Sequence, residues 1–231
     1  MGTYILNTRN QLRVDFSHMY HNVFNQIKNK ILTFLNKPTI MTKGLVLLLR
    51  IAIASFHIVA FTFSAHREII KKDAIRRREY RLYDYNSNFI PYLCQVLWRD
   101  KEFRNQFYFR LKSPFVSFFL NLILPALTDV DLENCPNIGE GFVLIHGHGT
   151  IINRFSSIGK NCTIYHGVTI GSIGGGYPPT IGDNVFIGCD AKVLGDIKIG
   201  NNVKIGAGAV VVKDVPDNVT VIGVPAYILK K

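Results

Sequence analysis

Residues 158–171 read IGKNCTIYHGVTIG, with Ile158, Ile164 and Ile170 six positions apart. An amphipathic helix repeats its apolar positions about every 3.6 residues and a two-sided strand about every 2, so this step fits neither. After five extra residues the phase resumes at Ile181, Ile187, Val193, Ile199, Ile205 and Val211. Upstream, Ile138 and Leu144 keep the step, and a two-residue insertion leads to Ile152. The fifth hexad position is small or moderate at Ser156, Cys162, Val168, Val185, Ala191, Val203 and Ala209. A sustained six-residue period predicts a parallel β-helix, each aliphatic residue pointing into a prism-shaped core. Three hexads close one triangular coil, so the run makes about four coils, with glycine and asparagine at the corners.

The chain has 231 residues, 48% of them hydrophobic, enough for a substantial core. Residues 1–130 carry 19 Lys and Arg against 8 Asp and Glu, whereas residues 131–231 carry 8 against 8, so the net charge of +11 lies wholly in the first half. That excess reads either as a solvated helical surface or as attraction to an acidic partner, such as anionic lipid or a pyrophosphate-linked substrate. No nucleic-acid-binding motif uses the charge, so nucleic acid is not expected. Cys94, Cys135, Cys162 and Cys189 show no CxxC spacing and read as reduced thiols. The start, MGTYILNTRNQLRVDF, lacks the features of a secretory signal. The expected location is the cytoplasm, peripheral to the inner face of the membrane.

The first half reads as helical. Phe16, Tyr20, Val23, Phe24, Ile27 and Ile31 fall at helical spacing within 15–36. Residues 44–65 are the most apolar stretch and long enough to cross a bilayer, although Arg50 and His57 argue against a free-standing span. The basic cluster REIIKKDAIRRREYR (67–81) suits the cytoplasmic face of a membrane. In residues 91–127 short helices are expected. Ser113 is the candidate N-cap of one, Pro114 opens it, and Phe115, Phe118, Phe119, Leu122 and Ile123 make its apolar face. The expected organisation is a basic, apolar-rich α-helical domain (1–130), a β-helix domain (131–223) and a C-terminal tail (224–231).

The stretches LIHGHGTIIN (144–153), SIGKNCTIYHGVTIG (157–171), TIGDNVFIG (180–188), KVLGDIKIGNNVKIGAGAVVVKDVP (192–216) and VIGVPA (221–226) resemble the hexapeptide-repeat acyltransferases. The nearest branch is serine acetyltransferase-like, which includes the O-acetyltransferases of bacterial capsule and surface polysaccharides. LWRDKEFRNQFYFRL (97–111) extends the resemblance weakly. It implies a left-handed parallel β-helix, acetyl-CoA as co-substrate, no metal, and a homotrimer with active sites between chains.

By the same resemblance, His146 matches the catalytic histidine and Asp131 the aspartate that orients it, with Asp129 a competitor if the register slips by two. An imidazole titrates near working pH, which suits it to take the proton of an attacking hydroxyl. His166 holds the same hexad position one coil later and either borders the acceptor or is an ordinary outward side chain. His148 matches no catalytic position, and a surface or interface role is expected. Gly171 and Ser172 match oxyanion-hole positions. Cys189, Ala207 and Lys213 match coenzyme-binding positions. Where the family carries Lys or Arg after GVPA, this chain has Tyr227, leaving phosphate binding there to Lys230 or Lys231.

The loop GSIGGGYPPT (171–180) departs from the serine enzymes. Tyr177 and Pro178 stand where those have an Arg-His pair, and Ile145 stands where they have an aspartate before the catalytic histidine. A sugar or lipid-linked oligosaccharide acceptor of capsule or surface polysaccharide, with Tyr177 and His166 lining its pocket, is therefore the leading expectation. The alternatives are a serine O-acetyltransferase, a γ-carbonic-anhydrase-like zinc enzyme using the histidines of 146–166, and a non-catalytic scaffold.

Overall fold

The computed structural model describes residues 40–80, 88–132 and 137–230. The expected helix over 15–36 lies outside them. The chain divides into two compact units at residues 52 and 53. The first is described only over residues 40–52, the N-terminal half of helix α1 (Ile40–Phe63). No described helix is long and apolar enough to cross a membrane. In the second unit His57 of α1 is buried, with Nε2 3.0 Å from the Tyr108 hydroxyl and Nδ1 2.9 Å from the Ile53 carbonyl. An imidazole placed this way belongs to a packed helical core.

Four further helices follow: α2 (Arg67–Arg77), α3 (Phe89–Arg99), α4 (Lys101–Leu111) and α5 (Pro114–Ile123). Their core gathers Ile70, Tyr92, Leu93, Val96, Phe103 and Phe107, all essentially inaccessible to solvent. Asp100 caps α4, its carboxylate accepting from the Phe103 N–H at 2.8 Å. Ser113 stands at the cap position of α5, but its side chain makes no capping bond.

The coils follow. β1 (Asn137–Ile138), β2 (Val143–Ile145) and β3 (Ile151–Ile152) form the first; β4 (Ser157–Ile158), β5 (Thr163–Tyr165) and β6 (Thr169–Gly171) the second. β7 (Thr180–Ile181), β8 (Phe186–Ile187) and β9 (Lys192–Leu194) make the third, and β10 (Lys198–Ile199), β11 (Lys204–Ile205) and β12 (Val210–Val211) the fourth. Every third strand pairs in parallel, giving three faces. One face stacks Ile138, Ile158, Ile181 and Ile199 in register. A second stacks Leu144, Ile164, Ile187, Ile205 and Val221, the last from β13 (Thr220–Ile222). The third stacks Ile152, Ile170, Val193 and Val211. All of these side chains are buried, as are the fifth-position residues from Ser156 to Ala209. Each fully buried Ile or Val contributes roughly 1.5–3 kcal/mol, so the six-residue step is the main source of stability here. β14 (Tyr227–Ile228), in the expected tail, turns back antiparallel onto β13.

One corner is an asparagine ladder. Asn161, Asn184, Asn202 and Asn218 all have φ between 56° and 63°. Asparagine tolerates this left-handed conformation better than most residues. Asn184 Nδ2 donates to Asn202 Oδ1 at 3.1 Å, and Asn202 Nδ2 to Asn218 Oδ1 at 2.9 Å.

One reading of the helical half needs correction. The basic cluster 67–81 does not simply face outward. Arg77 is 2% exposed and chelates the equally buried Asp100 while donating to the Leu144 carbonyl at 2.8 Å. Arg76 donates to the Gly141 carbonyl at 2.7 Å and to the Cys162 carbonyl at 3.1 Å. Arg110 of α4 pairs with buried Asp73 and donates to the Ile138 and Gly139 carbonyls. Gln106 donates to the Phe142 carbonyl at 2.7 Å. These groups satisfy the edge of the first coil, where β1 and β2 have a neighbouring strand on one side only. Phe115, Phe118, Phe119, Leu122 and Ile123 of α5 form the expected apolar face and are exposed, and the buried residue of α5 is Leu120. The spacing located an apolar stripe, but spacing carries no information about what covers it.

The Arg77→Met variant should lose about 3–5 kcal/mol, because Asp100 is left as an unpaired buried charge. Adding Asp100→Leu should restore much of that loss. Denaturant unfolding of the single and double variants checks both.

Candidate active site

His146 follows β2 at a corner, exposed, with φ of 50°. Its carbonyl accepts from the His148 N–H at 2.6 Å. Left-handed backbone at a residue other than glycine costs on the order of 1–3 kcal/mol and collects at functional sites. The turn continues through Gly149, with φ of 67°, whose N–H donates to the Asp129 carbonyl at 3.1 Å. His146 thus presents its ring to solvent from a backbone pinned on both sides.

Ile145 pairs with Tyr165, so His146 and His166 stand at equivalent points of adjacent coils, as expected from the hexad count. The next coil supplies Cys189, and the Gly208 N–H donates to its carbonyl at 2.8 Å. Ala207 is exposed beside it, on the fourth coil. Four nominated residues therefore line one corner of the prism: His146, His166, Cys189 and Ala207.

A second group lies around an adjoining face. A pocket of about 380 Å³ beside β3 and β6 is lined by Asp131, Asn153, Arg154, Thr169, Gly171 and Ser172, among others. Asp131 enters it because its backbone bridges to Ile151, donating to the Thr150 carbonyl and accepting from the Ile152 N–H. The Gly171 carbonyl is occupied by the Gly195 N–H at 2.9 Å. Tyr177 is 76% exposed in the loop beyond. Lys213 lies elsewhere, lining a smaller pocket of about 190 Å³ with Tyr227 near the C-terminal end.

No hydrogen bond joins Asp131 to His146. The Asp–His pair that does form is Asp129 with His148, Nδ1 to Oδ2 at 3.0 Å. The hydrogen bond from His148 holds the Asp129 carboxyl below its ordinary value. Arg154 was not singled out from the sequence. Its guanidinium lies 4.6 Å from the centre of the Phe155 ring, and it brings a positive charge to the pocket that holds Asp131. The one available signal was a charged residue two positions past an aliphatic pair, which most surface corners share.

Residues 178–213 match the family model described as "Bacterial transferase hexapeptide (six repeats)". The serine acetyltransferase of Synechococcus elongatus is 40% identical over 124 residues, covering 52% of this chain and 51% of that protein. The chain spans about half the length of the curated relatives it matches. The structure of Neisseria gonorrhoeae serine acetyltransferase in complex with serine is 35% identical with a TM-score of 0.55, over 69% of this chain and 67% of that one. A serine acetyltransferase in complex with CoA aligns at 28% identity with a TM-score of 0.56, over 71% and 70% of the two chains. A helical region followed by a left-handed parallel β-helix is the architecture shared with these proteins.

Asp129→Asn should lower stability slightly near neutral pH, where the carboxylate accepts from His148. A carboxyl whose folded value is depressed contributes stability above its ordinary value of 3.8 and loses it as the pH falls through the lower folded value. The difference in unfolding midpoint between the native chain and Asp129→Asn should therefore vanish in acid.

Proposed function

This chain belongs to the hexapeptide-repeat acyltransferase family, and from that premise we propose that it transfers an acetyl group from acetyl-CoA to a hydroxyl, with His146 as general base. The observation that carries the assignment is the exposed His146 ring, held at a left-handed corner of the prism. The imidazole takes the acceptor's hydroxyl proton as the oxygen attacks the thioester carbonyl. The carbon–sulfur bond then breaks and the proton passes to the departing thiolate. Such catalysis is worth typically about 10²–10⁴-fold and needs no covalent enzyme intermediate.

We place the transfer domain at residues 131–223 and the site between subunits of a homotrimer. In that arrangement the His146 corner of one subunit would meet the pocket face of another. Asp131 would then act by lining the acceptor pocket or by orienting the ring across the cleft. Ser172 supplies an oxyanion donor, with Gly171 shaping the turn. Cys189, Ala207 and Lys213 contact the coenzyme.

A serine-like hydroxy amino acid is the acceptor best supported. The curated relatives are serine acetyltransferases. The pocket also carries both a carboxylate, Asp131, and a guanidinium, Arg154, charges that suit an ammonium and a carboxylate. The relatives give no support to a polysaccharide acceptor, the leading expectation from sequence. One observation still favours an uncharged sugar hydroxyl as a second reading: Tyr177, Pro178 and Ile145 replace the Arg, His and Asp of the serine enzymes.

Incubation with acetyl-CoA and either L-serine or candidate sugars, followed by free-thiol release, separates the two. Serine should be the faster acceptor; turnover with a sugar alone would establish the second reading. His146→Ala should lower transfer at least about a hundredfold with the fold retained, and near-native turnover would remove the assignment. Arg154→Ala should raise the KM for serine about tenfold, the loss of one charge-assisted hydrogen bond.

A further inference from the structure

We propose that His166, Cys189 and Asp190 form a binding site for a thiophilic divalent cation, of which Zn²⁺ is the fitting example. A ring nitrogen of His166, the Cys189 thiol sulfur and a carboxylate oxygen of Asp190 all lie within 4.8 Å of one another. In a tetrahedral zinc site such atoms stand about 3.5 Å apart, so small side-chain rotations close the shell. The set is distinct from the histidines of 146–166 that raised a zinc enzyme from sequence. Only His166 is common to both.

Independent of that proximity, the His166 Nδ1 atom is buried and has no hydrogen-bond partner. A buried imidazole nitrogen left unsatisfied costs free energy, and a bound cation would satisfy it.

The backbone holds the three residues in this relation. The Asp190 N–H donates to the His166 carbonyl at 2.9 Å, tying the two corners together. Gly167 has φ of 66°, and a Cβ there would sit 2.1 Å from Asp190 Oδ1. The absent side chain is what lets the carboxylate lie over the corner. Asp190 itself has φ of 59°, a backbone that asparagine supplies at residues 161, 184, 202 and 218. Aspartate meets the same steric demand and adds a negative charge beside a thiol and an imidazole.

One sulfur, one nitrogen and one oxygen suit Zn²⁺ or Co²⁺. Mg²⁺ and Ca²⁺ prefer six or more oxygen ligands and have little to hold them here. Three protein ligands leave at least one coordination position open.

The test needs no acetyl donor or acceptor, so its outcome is separate from that of the acetyl-transfer reading. The full chain, stripped with chelator, is titrated with Co²⁺ and then with Zn²⁺. The expected result is one Co²⁺ per chain, a near-ultraviolet thiolate-to-cobalt band, tetrahedral visible bands, and displacement by Zn²⁺ but not by excess Mg²⁺. Cys189→Ala should abolish the charge-transfer band, and His166→Ala should weaken binding about tenfold or more. His148→Ala, outside the cluster, should bind as the native chain does. Cys189→Ser keeps the side-chain volume and serves if the alanine variant fails to fold. Absence of stoichiometric Co²⁺ binding, an unchanged band in a folded Cys189 variant, or equal displacement by Mg²⁺ would overturn the proposal.

Discussion

A β-helix has the same weakness at each end: a terminal coil whose backbone groups point toward a strand that is not there. In this chain the start of the solenoid is closed by side chains from the helices. Arg76, Arg77, Gln106 and Arg110 donate to the carbonyls of Ile138, Gly139, Gly141, Phe142 and Leu144. Asp73 accepts from the Phe142 N–H at 3.0 Å. Two of the arginines are neutralised by buried carboxylates, Arg77 by Asp100 and Arg110 by Asp73. Buried ion pairs are poor sources of net stability, but removing one partner is costly. Here they also blunt an edge that would otherwise invite another strand. At the far end β14 folds back across β13 to similar effect.

This arrangement changes the meaning of the charge. An excess of +11 concentrated in the first half invites a search for an acidic partner outside the molecule. Three of those cations instead meet backbone carbonyls of the first coil, and Arg104 meets carbonyls of the helical half. Local composition sums charges without direction, whereas the helices turn Arg76 and Arg77 of α2 and Arg110 of α4 toward the same coil. The apolar residues of α5 illustrate the reverse case. Their periodicity marked one apolar face, and that face is exposed.

The candidate site was partly legible for a definite reason. A six-residue step assigns each residue both a face and a height, so the stacking of His146 with His166, and of Cys189 with Ala207, could be read by counting. The pocket that gathers Asp131, Arg154 and Ser172 could not. It depends on the segment before the first coil, where no repeat runs, and on the bridge between Asp131 and Ile151. The pairing of Asp129 with His148 rather than Asp131 with His146 has the same origin.

Sequence alone determined the prism, its phase and its core, because burial of one aliphatic residue per hexad repeats often enough to admit a single register. The resemblance carried by LIHGHGTIIN (144–153) also marked His146. Only the tertiary structure decided how the first coil is closed, which carboxylate meets which histidine, and that His166, Cys189 and Asp190 converge. Those contacts join residues separated by irregular turns or by whole helices. Their geometry follows from three-dimensional packing, for which no local period exists.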